Sequence, residues 1–505
     1  MHLGLDCSTQ SFSAILIDAE NGSIAHEASV NFEKDLPHYG TTAGFVRGPN
    51  QGEVFSNPLM WVEALELLLG KLAANGAPLA QVSSISGSGQ QHATVYLNEQ
   101  FPLILDTLQP EAPLHAQLGP SISRLLSPIW MDGSTANECE EIASALGSHQ
   151  EVCRRSGSVA IQRFSGPQIR KFAKQDPIAW GQTKQVHLAS SFLASILAGK
   201  PAAIDHGDGA GMNLMNLEQR GWDSDLVQAT APDLLDKLPP LASSSTVAGK
   251  LAPYFVKKYG FSEQCDVVLW SGDNPCSLVG MGASSPGNLV ISLGTSYTLF
   301  AAMESPHTDP QGFGHVFGNP LGGFMSLICF QNGALACEAT KQNIKLSWTE
   351  FDARTEHPPK AGDTPSLPFF QAEITPLAKP SEQSNTTVRS LLDGQFLSMK
   401  KHADWMRIKP KHIRVTGGIS RAKGICQTIA NVFNSPVQTI ETHASAGLGA
   451  AMRACLATTN IPLNILESSF CQPESDSILP QPEVSAIYQE MSATFDTMLT
   501  NHLNS

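Results

Sequence analysis

Positive charge is scarce in this chain. Its 505 residues carry 32 Lys and Arg against 46 Asp and Glu, a formal net charge of −14. A field of that sign repels nucleic-acid backbones and anionic bilayers, so neither is an expected partner. An anion such as ATP has to be held locally, by backbone N–H groups, helix N-termini or a metal ion. Paired cysteines are missing too. The ten Cys, among them Cys7, Cys139, Cys265, Cys276, Cys329, Cys337 and Cys426, form no Cys-x-x-Cys, and no His pair has zinc spacing. That pattern excludes the common zinc and dithiol frameworks and predicts scattered, buried, reduced thiols. No apolar run is long enough to span a bilayer. The opening Met1-His2-Leu3-Gly4-Leu5-Asp6 has no basic segment leading into an apolar one, so no secretory leader is expected. The chain reads as cytoplasmic. The best-known phosphate and hydrolase signatures are also lacking: no Gly-x-x-x-x-Gly-Lys-Ser/Thr, no His-Arg-Asp or Asp-Phe-Gly, no Gly-x-Ser-x-Gly and no His-Glu-x-x-His.

What is present is an ordinary globular composition, 42% hydrophobic and 15% charged, on a chain too long for one core. Leu3 to Asp6 reads as a short strand, Cys7 to Ser11 as a polar turn, and Phe12 to Ile17 as a second strand. Asn21-Gly22 turns the chain into a third, Ile24 to Phe32. The pattern returns much later. Leu289 to Leu293 is apolar, Gly294-Thr295-Ser296 is a polar turn, and Tyr297 to Ala302 is apolar again. Two copies of strand, polar turn and strand predict a duplicated architecture. The loop-forming Ser284-Ser285-Pro286-Gly287 sets the expected division into domains 1–285 and 286–505.

Between these landmarks strands alternate with helices, which predicts an α/β fold. Pro58 opens a helix after Ser56 or Asn57, with Trp61, Leu65, Leu68 and Leu72 on one face and Asn75-Gly76 as its stop. A strand from Val82 to Ser86 runs into Gly87-Ser88-Gly89. A helix is expected from about Val186 to Ala198. Later, His412 to Val415 is a strand, Thr416-Gly417-Gly418 a tight turn, Arg421 to Phe433 a helix and Val437 to Ile440 a strand. A small-residue helix follows from about Ser445. Gln371 to Thr387 reads as a loop, and a last helix runs from about Pro482 to Leu499.

Hydroxyl- and glycine-bearing turns between strands present several backbone N–H groups in a concave array, a fit for phosphate oxygens. Ser8, Thr9 and Gln10 in the first copy, with Gly294 and Thr295 in the second, are therefore candidate ATP contacts. Asp6, at the end of the first strand, is a candidate Mg²⁺ ligand. Magnesium takes one or two carboxylates and keeps water and phosphate as its other ligands. The blander alternative, a pair of hairpin loops, fits either turn taken alone.

Several segments together resemble the FGGY carbohydrate kinases. They are Gly4-Leu5-Asp6-Cys7-Ser8-Thr9-Gln10, Asp35-Leu36-Pro37, Pro58-Leu59-Met60-Trp61-Val62, Ser86 to His92, Trp130-Met131-Asp132, Asp208 to Leu214, Gly272-Asp273-Asn274-Pro275, Ser292 to Ser296 and Thr416-Gly417-Gly418. The resemblance implies two actin-like (ribonuclease H-like) ATPase domains facing across a cleft. It also implies ATP- and Mg²⁺-dependent phosphorylation of a sugar, D-xylulose first, with D-ribulose or another ketose or polyol as the alternative. By the same resemblance Asp273 is the general base, Gln91, His92, Arg163, Asp273 and Asn274 bind sugar, and Trp348, Gly417 and Gly418 contact adenosine. Asp208 is expected to be a structural carboxylate near the site. On residues alone each has an ordinary reading: a turn Asp, a solvated loop His, a surface Arg, a packed Trp. An actin-like module that senses ATP without phosphorylating sugar is the reading from another class. A homodimer would be unremarkable. The chain departs from many relatives at Cys7-Ser8, where they carry Gly, and at Ile419 to Ala422, where they often carry an Asn.

Overall fold

The structure, a computed structural model, describes residues 1–440, 444–474 and 476–505. It contains two compact units. The first comprises Met1–Gly282, Val316–Phe324 and Ala444–Cys471, and the second Ala283–His315, Met325–His443 and Gln472–Ser505. Against the expected division at residue 285, the first break falls at Gly282, and two later segments return to the first unit.

The first unit is built on a mixed sheet ordered Val247–Lys250, Asp266–Val268, Ser84–Gly89, His2–Cys7, Ser11–Asp18, Ser23–Asn31, with Ser271–Gly272 also pairing with Ser84–Gly89. The first three strands of the chain are antiparallel, and His2–Cys7 runs parallel to Ser84–Gly89. Alternation along Ser11–Asp18 decides which residues face which layer. Phe12, Ala14 and Leu16 join a core with Trp61, Leu65, Leu68 and Leu72 of the helix Pro58–Ala74, while Ile15 and Ile17 pack with Val279, Leu448, Ala451 and Met452 on the other side. The Pro58–Ala74 helix starts as expected: the Leu59 N–H donates to the Asn57 side chain, and Pro58 opens the first turn.

The other layer is the small-residue helix, Ser445–Thr458, lying against the first strand and the helix Asp273–Gly280. Gly4 on the strand and Gly449 on the helix mark the close approach. A Cβ on Gly4 would fall 2.0 Å from the Gly447 carbonyl oxygen, and one on Gly449 would fall 1.9 Å from the Cys276 carbonyl oxygen. No side chain fits at either place, so backbone meets backbone.

The second unit repeats the hairpin. Asn288–Leu293 pairs antiparallel with Tyr297–Met303 and parallel with His412–Thr416, which in turn pairs parallel with Val437–Thr439. This is the arrangement of His2–Cys7 with Ser11–Asp18 and Ser84–Gly89 in the first unit. The helices Val388–Ala403, Lys423–Phe433 and Pro482–Leu503 belong to this unit.

Two local expectations differ from the fold. The helix expected from Val186 begins at Ala189. Gln185–Leu188 is a strand antiparallel to Thr94–Leu97, and the helix then runs Ala189–Ala198 into Gly199 at φ 66°. A partner strand ninety residues away, invisible to local periodicity, decides the matter. Within 371–387 the chain forms a small ladder, Glu373–Ile374 with Leu377–Ala378. None of the ten cysteines is in a disulfide; nine are buried and Cys329 is half-buried. Among the described residues, no helix is long and apolar enough to cross a membrane.

Candidate active site

Asp6 lies on the first strand, level with Ser88 on the parallel neighbour and Ser13 on the antiparallel one. The Ser88 hydroxyl donates to Asp6 Oδ1 at 2.6 Å. Burial pushes the Asp6 carboxyl up to about 6, against the pull of that hydrogen bond.

Asp273 arises next to the same strand. Ser271 and Gly272 pair with Ser88 and Gly89, and the helix Asp273–Gly280 starts at once. Asp273 is thus the first residue of a helix rather than a member of a turn. A helix N-terminus favours a carboxylate by about 0.3–1 kcal/mol. Burial wins nonetheless, followed by the negative charge of Asp6, and together they push Asp273 from 3.8 up to about 7, at roughly 1.4 kcal/mol per unit. A carboxyl tuned to neutrality is what a general base needs.

Asn274 and Gln91 hold this carboxyl in place. Asn274 donates to Asp273 Oδ1 from its backbone N–H at 2.8 Å and from Nδ2 at 3.1 Å, and Nδ2 also donates to Gln91 Oε1 at 2.8 Å. Gly272 makes room for this: its missing Cβ would lie 2.5 Å from Gln91 Cγ.

His92 follows at φ 70°, in the left-handed region, and is only 6% exposed. Its Nδ1 lies 2.9 Å from the Gly211 carbonyl oxygen. A carbonyl only accepts, so Nδ1 carries the proton at this contact. The ring stacks on Phe164 at 4.2 Å, and the Arg163 guanidinium lies over the same Phe164 ring at 5.6 Å. His92 is therefore no solvated loop residue, and the half-buried Arg163 no free surface charge. Asp208 is buried, with the Ser190 hydroxyl donating to Oδ2 at 2.5 Å.

The first polar turn is ordered by Ser8, whose backbone N–H and hydroxyl both donate to the Ser11 carbonyl, at 3.0 and 2.9 Å. Thr9 Oγ1 accepts from Trp130 Nε1 at 2.8 Å. An indole only donates, so the Thr9 hydroxyl keeps its own proton to give away. Gln10 is exposed at the end of the turn.

In the second unit Gly417, at φ 102°, sits against the Leu293 backbone, where a Cβ would fall 2.5 Å from the Leu293 carbonyl oxygen. That brings the Gly417-Gly418 turn beside Gly294 and Thr295, at the ends of two parallel strands. Gly418 and Thr295 are exposed. Trp348 opens the helix Trp348–Thr355, is 40% exposed, and has the Lys341 ammonium over its ring at 4.7 Å.

The fold thus gathers Asp6, Gln91, His92, Asp273 and Asn274 at strand ends of the first unit, and joins Arg163 to them through Phe164. Gly294, Thr295, Gly417 and Gly418 form a second group in the other unit. Sequence reasoning missed Ser88, Phe164 and the Trp130–Thr9 bond. Ser88 and Trp130 were visible within the segments noted above, but nothing local says what they touch.

The donor set suits Mg²⁺. Asp6 supplies hard carboxylate oxygen, and among the described residues no group of three or more His, Cys, Asp or Glu side chains forms a ready-made cage. That fits magnesium, which binds few carboxylates and retains water and phosphate oxygens.

Residues 122–280 match the N-terminal domain of the FGGY family of carbohydrate kinases, and residues 289–458 the C-terminal domain. The chain is 37% identical to xylulose kinase of Mus musculus, with 98% of this chain and 93% of that protein covered. It is 38% identical to xylulose kinase 2 of Arabidopsis thaliana, with 90% and 86% covered. The crystal structure of xylulose kinase from Rhodospirillum rubrum has the same fold, with a TM-score of 0.82 at 18% identity over 99% of this chain and 98% of that one. With both family domains matched and such identity sustained almost end to end, the chain belongs to the FGGY family of carbohydrate kinases.

Proposed function

We propose that the chain transfers the γ-phosphoryl group of ATP to D-xylulose, giving D-xylulose 5-phosphate and ADP. The observation that carries the mechanism is Asp273, a carboxyl poised at about 7 by burial and by Asp6, and held by Asn274 and Gln91. The substrate rests on the full-length similarity to the xylulose kinases.

In this reading residues 1–285 bind the sugar and residues 286–505 bind the nucleotide. Gln91, His92, Arg163, Asp273 and Asn274 orient the ketose. His92, anchored through Nδ1–H to the Gly211 carbonyl, presents its ring to the ketose hydroxyls. Asp273 takes the proton of the attacking hydroxyl as the new P–O bond forms, a contribution of about 10²–10⁴ in rate. Ser8, Thr9, Gln10, Gly294 and Thr295 donate to phosphate oxygens, and Gly417 and Gly418 let backbone approach the adenosine beside Trp348. Asp6 would hold Mg²⁺, which when bound would neutralise charge on the phosphates. The site of action is the cytoplasm, and nothing in the chemistry requires more than one copy of the chain.

The test is ADP release with Mg·ATP over a panel of free sugars, with Asp273→Ala alongside. D-xylulose is expected to stimulate turnover most. Asp273→Ala is expected to lower kcat by about 10²–10⁴, and EDTA to stop turnover until Mg²⁺ is restored. Preference for D-ribulose or a polyol would keep the mechanism and change the substrate. ATP binding with no response to any sugar would sink the kinase reading in favour of an ATP-sensing module.

A further inference from the structure

A carboxyl serves as a base only if it is aimed, and the groups that aim Asp273 lead further into the protein. Asn274 Nδ2 carries two N–H bonds. One goes to Asp273 Oδ1 and the other to Gln91 Oε1. This works only while Gln91 presents oxygen to Asn274. Turned end for end, the Gln91 amide would set its own NH₂ against that of Asn274, and the link to Asp273 would break.

What lies at the other end of Gln91 selects the orientation. There, Gln91 Nε2 is buried and has no closed hydrogen bond, and Asp208 Oδ1 is in the same condition. The two are neighbours, since the Gln91 amide acts on the Asp208 carboxyl as a donor. Gln91 is packed in place and only 3% exposed. A Cβ at Gly272 would lie 2.5 Å from its Cγ, and one at Gly211 would lie 3.4 Å from its Nε2. Asp208 is held in place too. Its Oδ2 accepts from Ser190 Oγ at 2.5 Å and its N–H donates to Asp205 Oδ1 at 2.8 Å, while Asp205 Oδ2 accepts from Ser244 Oγ at 2.5 Å. Asp208 and Asp205 are each 1% exposed. A buried acceptor on a fixed frame thus faces the one end of Gln91 that must be a donor.

We propose that Asp208 is a positioning residue for the phosphoryl transfer, acting on Asp273 through the Gln91 amide and Asn274. The inference rests on the sugar-kinase reading above, in which Asp273 is the base. Asp208 touches neither sugar nor ATP in this scheme. Its loss removes the carboxylate that Gln91 Nε2 faces, lets the amide turn, and frees Asp273 from one of its tethers. The chemical step suffers and nucleotide binding does not.

The experiment compares Asp208→Ala, Asp208→Asn and Gln91→Ala, singly and with Asp208→Ala combined with Gln91→Ala. Asp208→Ala is expected to lower kcat about tenfold or more with KM for ATP unchanged. Asp208→Asn keeps an acceptor oxygen and is expected to stay within about threefold of wild type. In the Gln91→Ala background, Asp208→Ala is expected to add nothing, because the relay is already cut. Unchanged kcat in Asp208→Ala, additive losses in the double variant, or equal damage from Ala and Asn would each overturn the proposal. A readout free of turnover separates this from failure of the kinase reading. In protein labelled with ¹⁵N-asparagine, the Asn274 side-chain amide signal, assigned by its disappearance in Asn274→Ala, is expected to move in Asp208→Ala and stay put in Asp208→Asn. An unmoved signal in a folded Asp208→Ala protein sinks the relay whether or not the enzyme turns over D-xylulose.

Discussion

At the scale of single residues, what matters most is that Asp273 titrates near neutrality. A base works deprotonated. With Asp273 pushed up to about 7, kcat/KM is expected to rise with pH by about tenfold per unit below that value and to level off above it. A flat profile between about pH 5.5 and 8 would remove Asp273 from the role. Stability carries the opposite sign. Asp6 and Asp273 both have folded values above their ordinary 3.8, so the folded state keeps protons that the unfolded chain releases. The stability they lend is full below about 4 and is lost as pH climbs through about 6 and 7. Asp273→Asn removes a buried charge, so it is expected to melt above wild type at pH 8, with the gap narrowing at pH 5. An equal gap at both would show that burial is not the cause. None of this is legible from Gly272-Asp273-Asn274-Pro275 alone, which reads as a turn favouring Asp. The shift comes from the packing around the carboxyl and from Asp6, 267 positions earlier in the chain.

Among the elements, the helix Ser445–Thr458 shows how little room some contacts have. Its small residues were plain in the sequence, but not the reason for them. Gly449→Val would drive a Cβ to within 1.9 Å of the Cys276 carbonyl oxygen, where only backbone can yield. A loss of about 2–4 kcal/mol is expected, read as a lower urea midpoint. Gly70 is the contrasting case. It lies inside the helix Pro58–Ala74 with nothing within 4 Å of a built Cβ, so Gly70→Ala is expected to gain about 0.5–1 kcal/mol. If both variants shift stability alike, close approach is not what the glycines of the 445–458 helix provide. Hairpins and helix ends were readable because their signals are short: Asn57-Pro58, Asn21-Gly22 and the glycine after Ala198. The Gln185–Leu188 strand was misread as helix because its only reason to be a strand is Thr94–Leu97.

For the whole molecule, the chain returns to its first unit near its end. Residues Ala444–Cys471 cover the face of the sheet that carries Ile15 and Ile17. They also bring a buried arginine. Arg453 donates to the Leu269 and Ser244 carbonyls at 2.8 and 2.9 Å and to the Gly87 carbonyl at 3.4 Å, just ahead of the segments that carry Asp273 and Gln91. Residues 1–282 expressed alone are therefore expected to lack a cooperative thermal transition, and to recover one when 444–471 is fused back through a flexible linker. A sharp transition in 1–282 alone would show that the returning helix is dispensable.

By itself the sequence determined the α/β alternation, the duplicated hairpin, the glycine and hydroxyl turns, and the family, because each depends on residues that lie close together or recur in order. Only the tertiary structure decided that Ser88 holds Asp6, that Phe164 joins Arg163 to His92, that Asp273 sits near pH 7, and that a helix from beyond residue 440 completes the first unit. Those are contacts across dozens to hundreds of positions. Hydrogen bonding and desolvation act through space, and they become definite only once the core has packed.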